Sequence, residues 1–177
     1  YVDLKENTYF FKGQFIYKYD AKQMKISTGY PKLITQEIKN APGNIDAIFV
    51  WGKDYHTYIF KGNMHYKINQ ITNSIERGYP KRNNLRWNGM PDVINAIFTL
   101  PYFVTRSTEN STKEIKGNNH TYVISNEKAY YIDPFTDNVE MIGSVGDVFK
   151  NIMNITPSQT KYRFPNPYPD STRALVT

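Results

Sequence analysis

The chain has 177 residues, a formal charge of +6 and 15% aromatic residues, led by fifteen Tyr and ten Phe. That length suits one domain or a set of small repeats, and the aromatic content can fill a core, which argues against disorder. The absence of cysteine excludes disulfide scaffolds, thiolate zinc sites and Cys nucleophiles, and no stretch approaches the roughly 20 apolar residues of a membrane span.

Taken from its start, the chain opens on YVDLKENTYFF without the charged and apolar regions of a signal peptide, so it is expected to be a mature or trimmed piece of something longer. The first recognisable string, Thr8-Tyr9-Phe10-Phe11-Lys12-Gly13, returns 49 positions later as Thr57-Tyr58-Ile59-Phe60-Lys61-Gly62. At the same offset Gly29-Tyr30-Pro31-Lys32 becomes Gly78-Tyr79-Pro80-Lys81, and Ile45-Asp46-Ala47-Ile48-Phe49 becomes Ile94-Asn95-Ala96-Ile97-Phe98. Several landmarks in one register define a repeat.

A third, weaker copy lies at offset 64, where His56-Thr57-Tyr58 maps onto His120-Thr121-Tyr122 and residues 66–76 map onto 130–140. The larger offset predicts an insertion at about 102–118, whose Ser, Thr and Asn content reads as a surface loop. This copy has Ile142-Gly143-Ser144 in place of Gly-Tyr-Pro. The units therefore run at about 1–44, 45–93 and 94–148, with a partial fourth over 149–177 starting near Phe149 to Thr156.

Within a unit, runs such as Ala47-Ile48-Phe49 and Tyr58-Ile59-Phe60 predict short strands buried on both faces. Lys61-Gly62-Asn63 predicts a hairpin turn leading to a strand at His65-Tyr66-Lys67-Ile68. Gly78-Tyr79-Pro80 breaks the outer edge, and residues 82–87 predict a helical turn before Asn88-Gly89-Met90-Pro91. Four short strands and a connector in about 45–50 residues is the size of a propeller blade.

The recurring string IDAIF, TYIFKG, GYPK and WNGMP resembles the hemopexin-like repeat of hemopexin, vitronectin and the C-terminal domain of matrix metalloproteinases. The match is close over residues 8–101 and looser over 120–143. The resemblance implies an all-β, four-bladed propeller with one repeat per blade and the IDAxF strand innermost. On that template the first and last blades are incomplete, and the cysteines that join them in many relatives would fall outside this chain. It also implies an extracellular, non-catalytic domain recognising a protein or glycan, and a place as the recognition part of a larger metalloproteinase-like protein. The alternative is a small-ligand or haem carrier.

The chemistry in the sequence fits that reading. The three histidines, His56, His65 and His120, include no H-E-x-x-H, and no G-x-S-x-G elbow or Gly-rich phosphate loop is present. Haem is not expected, because His65 should face Phe60 across the hairpin and not His56. By the resemblance, Ca²⁺ or Na⁺ is expected in the central channel on backbone carbonyls of Asp46, Ile48, Asn95 and Ile97. The alternative role for Asp46 and Asn95 is to cap the start of the inner strand by hydrogen bonding. The excess charge falls in residues 1–98, and Arg77, Lys81, Arg82 and Arg86 form a cluster suited to a sulfated glycan or another polyanion; nucleic acid is not expected. Sequons at Asn110, Asn119 and Asn154 predict glycosylation and, with the family, secretion.

Overall fold

The computed structural model describes residues 1–3, 7–100, 103–108, 111–116 and 120–153. These form three antiparallel sheets in chain order and a separate hairpin. In the first sheet β1 (Thr8–Lys12) and β2 (Phe15–Asp20) pair around Gly13, which sits at φ +58°, a conformation that glycine enters without a Cβ clash. Two short strands, β3 (Lys25–Ile26) and β4 (Lys32–Leu33), both pair with β2, one on each side of Gly29-Tyr30-Pro31. The Gly-Tyr-Pro break thus divides one outer strand into two. A single helical turn, α1 (Ile34–Glu37), follows and buries Ile34.

The second unit repeats this plan and adds an inner strand. Its strands are β5 (Ala47–Val50), β6 (Thr57–Lys61), β7 (Met64–Asn69), β8 (Ser74–Ile75) and β9 (Lys81–Arg82), with the last two again pairing with β7 around Gly78-Tyr79-Pro80. A 3-10 turn over Asn83–Leu85 occupies the expected helical connector.

In the third unit β10 (Ala96–Leu100) is followed by the hairpin β11 (Phe103–Thr108) and β12 (Ser111–Lys116), then by β13 (His120–Ser125), β14 (Lys128–Ile132) and β15 (Val139–Ser144). The sheet order is β10-β13-β14-β15, so the hairpin is excluded from it and forms a two-stranded sheet of its own. Residues 103–108 and 111–116 are paired strands where the composition suggested a loop. Lacking a Gly-Tyr-Pro break, β15 runs unbroken for six residues, with a bulge against β14 between Ala129 and Tyr130.

Val145–Met153 is a helix, α2, which follows β15 and runs into the span assigned to the partial fourth unit. Val145, Val148 and Phe149 recur at helical spacing. Ser144 also caps the helix: its hydroxyl accepts the Asp147 N–H at 3.1 Å and donates to the Asp147 carboxylate at 2.6 Å. The Phe149 ring packs 5.5 Å from those of Phe98 and Tyr122. The rest of the span assigned to that unit, residues 154–177, lies outside the described residues.

The sheets stack through two cores. Ile16, Ile34, Ile38, Ile59 and Ile68 join the first sheet to the second, and Tyr58, Phe60, Trp87, Ile97 and Val123 join the second to the third. Strand β6 serves both: Thr57, Tyr58, Ile59 and Phe60 are all fully buried, with Ile59 on one side and Tyr58 and Phe60 on the other. This is the two-sided burial that its apolar run predicts. In β1 the residue equivalent to Ile59 is Phe10, and it is 53% exposed, because no sheet among the described residues covers that face. No described helix is long and apolar enough to cross a membrane.

Candidate functional site

Two regions hold the residues singled out by sequence: the inner strands β5 and β10, and the outer edge of the second sheet. Strands β5 and β10 touch each other, and among the described residues each pairs with a neighbour on one side only, β6 and β13 respectively. Side chains at their starts turn back onto the hairpin of their own sheet. Asp46 accepts the Gly62 N–H at 2.6 Å and the Lys61 ammonium at 3.3 Å. Asn95 accepts the Asn126 N–H at 2.8 Å. Gly62 and Asn126 occupy one repeat position, so the Asp/Asn at this place is a cap for the next turn. Ile48 lies on β5 and Ile97 on β10.

The basic cluster does not act as one surface. Arg77, Lys81 and Arg82 are exposed, the last two on β9, whereas Arg86 turns inward. Its guanidinium donates to the Asp54 carboxylate at 2.8 Å and lies 5.0 Å from the Tyr58 ring and 5.1 Å from Trp87. The Tyr58 hydroxyl donates to the same carboxylate oxygen at 2.8 Å, and burial, then this hydrogen bond, holds the phenol well above its usual range.

A comparison of the two repeats explains why basic charge accumulates in the second. In the first unit Glu37 accepts from the Tyr30 hydroxyl at 2.7 Å and from Lys32 at 2.8 Å, while Lys32 also lies over the Tyr30 ring at 4.8 Å. One repeat later, Tyr79 and Lys81 keep the cation–aromatic contact at 4.9 Å, but the position of Glu37 is taken by Arg86. The carboxylate that neutralises Lys32 has no counterpart beside Lys81, which forms no ion pair among the described residues. Sequence alone showed the cluster. The cluster arises from three exchanges at offset 49, Thr28 to Arg77, Leu33 to Arg82 and Glu37 to Arg86, and of these Arg86 turns inward onto Asp54.

The histidines are built into the scaffold. His65 is 1% exposed, pairs across the hairpin with Phe60 as expected, and has Trp87, Tyr79, Tyr58 and Phe60 around its ring at 4.9–6.2 Å. Burial, and then the Arg86 charge, pushes its imidazole down to about 4. His56 ties its own loop: its N–H donates to the Asp54 carboxylate at 3.0 Å and its Nδ1 lies 2.7 Å from the Asp54 carbonyl oxygen. Asn7, at the same repeat position, likewise donates its main-chain N–H to the Asp3 carboxylate at 2.8 Å, and its side-chain amide donates to that same carboxylate at 2.9 Å. His120 packs 5.0 Å from the Tyr131 ring, and burial lowers its pKa. His56 and His65 thus sit in separate environments, one half-exposed in a loop and one enclosed in a core. The glycosylation candidates Asn110, Asn119 and Asn154 lie outside the described residues.

The Hemopexin family model matches residues 1–37 and 45–92. A search by sequence over curated proteins returns no match. Among solved structures, the hemopexin fold protein CP4 from cow pea aligns with a TM-score of 0.57 at 19% identity, covering 85% of this chain and 68% of that one. A plant albumin from Cicer arietinum showing hemagglutination gives a TM-score of 0.56 at 19% identity over the same shares of the two chains. A plant lectin with two metal binding sites, also from Cicer arietinum, gives 0.55 at 22% identity, again with 85% and 68% covered. At these identities the likeness establishes the fold. The two matched stretches coincide with the first two sheets and their connectors, so these two units match hemopexin repeats and the chain folds as hemopexin-fold proteins do.

Proposed function

We propose that the chain is a non-catalytic, extracellular binding module, a four-bladed propeller whose second blade presents Arg77, Lys81 and Arg82 to a sulfated glycan or a similarly polyanionic partner. The exchange of Glu37 for Arg86 carries this reading. It removes the one carboxylate that would neutralise the Lys81 edge, and it introduces a cation already spent on Asp54. What remains is a solvent-facing edge of positive charge on a rigid strand, which attracts polyanions in a salt-dependent way. That the same fold occurs in a plant lectin and in an albumin showing hemagglutination supports a binding role.

Retention on immobilised heparin tests the reading. The intact chain elutes at a higher salt concentration than Lys81→Glu or Arg82→Glu, and soluble heparin competes with capture of the chain on extracellular matrix. Retention indifferent to salt, heparin and both substitutions would reject it. In the larger setting the module would serve as the recognition part of a metalloproteinase-like protein. Its inner strands would hold Ca²⁺ or Na⁺ on the carbonyls of Asp46, Ile48, Asn95 and Ile97, chemistry that suits hard cations. A chelator that lowers the melting temperature, reversed by Ca²⁺, is the expected outcome.

A further inference from the structure

The two junctions between successive sheets share one plan but are filled differently. Between the second and third sheets the Tyr58 hydroxyl donates to Asp54, and the Arg86 guanidinium donates to the same carboxylate while lying against the rings of Tyr58 and Trp87. In the register of the repeat, the places of Tyr58, Arg86 and Trp87 are held at the first junction by Tyr9, Glu37 and Ile38. Asp3 takes the part of Asp54: it accepts the Asn7 N–H as Asp54 accepts that of His56, and the Tyr9 hydroxyl donates to it. The first junction thus keeps the tyrosine and its carboxylate but has neither the guanidinium nor the indole.

A cavity of about 390 Å³ lies there, lined by Asp3, Tyr9 and Glu37 over a base of the deeply buried Ile16, Ile38 and Ile68. Glu37 holds one donor on each oxygen, Tyr30 on one and Lys32 on the other, which leaves acceptor capacity on both. Lys18 is the cationic side chain among the lining residues, 5.9 Å from the centre of the Tyr9 ring. Its counterpart Lys67 pairs with Glu76 at 3.2 Å, whereas Ser27 stands at the place of Glu76 in the first sheet. Burial, and then the charges of Asp3 and Glu37, push the Tyr9 phenol up to about 12, so the fields of both carboxylates meet at this ring.

We propose that this cavity receives the guanidinium of an arginine side chain presented by a protein partner, stacked on Tyr9 between the carboxylates of Asp3 and Glu37. The chain's own second junction shows the chemistry: a tyrosine ring and a carboxylate at this repeat position hold a guanidinium. A planar fork of donors serves two carboxylates and an aromatic face at once, which a lysine ammonium does less well. Ile71, 95% exposed on the cavity's rim, offers apolar contact to residues beside the arginine, which favours a peptide over the free amino acid. The inference is independent of the polyanion reading, which concerns the opposite sign of charge at the outer edge of the second sheet.

The experiment titrates the full chain with N-acetyl-arginine amide, N-acetyl-lysine amide and free arginine, followed by the methyl resonances of Ile16 and Ile38. The arginine amide is expected to shift both resonances and to bind about fivefold or more tighter than the lysine amide. Asp3→Asn should weaken it by a similar factor, and Lys18→Gln, which removes the competing ammonium, should strengthen it. Glu37→Arg combined with Ile38→Trp installs the pair that fills the second junction and should abolish binding. Should Asp3→Asn fold poorly, Lys18→Gln and the arginine-to-lysine ratio decide. Absence of any shift at Ile16 and Ile38, equal binding of the two amides, or affinity unmoved by Lys18→Gln would overturn the proposal. So would tighter binding of free arginine than of its blocked amide, since the cavity would then serve the amino acid and not a partner.

Discussion

His65 should make the domain sensitive to mild acid. Its ring is enclosed by Trp87, Tyr79, Tyr58 and Phe60, and its pKa is lowered from an ordinary 6.5 to about 4 by burial and by Arg86. Between those values the unfolded chain binds a proton that the folded one refuses, so stability falls as pH drops through this window. A shift of this size is worth at most about 3 kcal/mol, and allowing for partial hydration of the charged ring leaves about 2 kcal/mol. His120, also lowered by burial, contributes with the same sign. For Glu37, burial raises the pKa, but hydrogen bonds from Lys32 and Tyr30 outweigh it and hold the carboxylate below its usual range, so its contribution is lost only in stronger acid. The assay is urea denaturation of the intact chain and of His65→Phe at intervals from pH 7.5 to about 4.5. Stability should decline on acidification in the parent and decline distinctly less in the variant. Should His65→Phe fold poorly, the imidazole resonances of the parent decide directly. Parallel stability curves for the two chains, or a His65 titration midpoint near 6.5 in the folded protein, would refute the reasoning.

Other perturbations follow from the same geometry. Trp87, fully buried at the junction of the second and third sheets, should cost about 3–5 kcal/mol as Trp87→Ala, read as a lower denaturation midpoint. Gly89→Ala should cost at least about 2 kcal/mol: Gly89 has φ +85°, and an added Cβ would lie 2.3 Å from the Val139 carbonyl oxygen, a backbone atom that cannot turn aside. Arg86→Ala should lower stability by about 1–2 kcal/mol, by leaving the Asp54 carboxylate without its cation, while heparin elution moves less than for Lys81→Glu. Glu37→Gln should move elution the other way, to higher salt, because it releases Lys32 from its carboxylate.

The repeat register, the turn at Gly62 and the breaks at Gly-Tyr-Pro were readable in the sequence because each depends on local chemistry: positive φ, a missing donor, short β-forming runs. Two-sided burial of Tyr58-Ile59-Phe60 was readable for the same reason. The role of Phe10 was not. It matches Ile59 in register and in character, yet it is exposed, because burial here is a property of the neighbouring sheet and not of the strand. Residues 103–108 and 111–116 differ in another way: Ser/Thr-rich composition is compatible with both a loop and a hairpin, and pairing between the two stretches decides the outcome.

The candidate site shows the same division between local and distant causes. Asp46 and Asn95 were singled out for their carbonyls, and the alternative of a capping role was open to sequence because the turn they cap lies in the neighbouring strand of the same unit. Arg86 was grouped with Arg77, Lys81 and Arg82 by proximity in the chain, but its partner Asp54 is more than thirty residues away and belongs to the loop between β5 and β6. That loop also carries His56, so one short segment fixes the hairpin, anchors the cation and shields Tyr58. Arg86 holds the position that Glu37 holds in the first sheet, but it turns its charge onto Asp54 and away from the second sheet's edge. A substitution at Arg86 or Asp54 changes how the sheets pack, whereas one at Glu37, Lys81 or Arg82 changes the exposed charge. Binding and folding are therefore separable in this chain, and they separate between positions as close in sequence as Arg82 and Arg86.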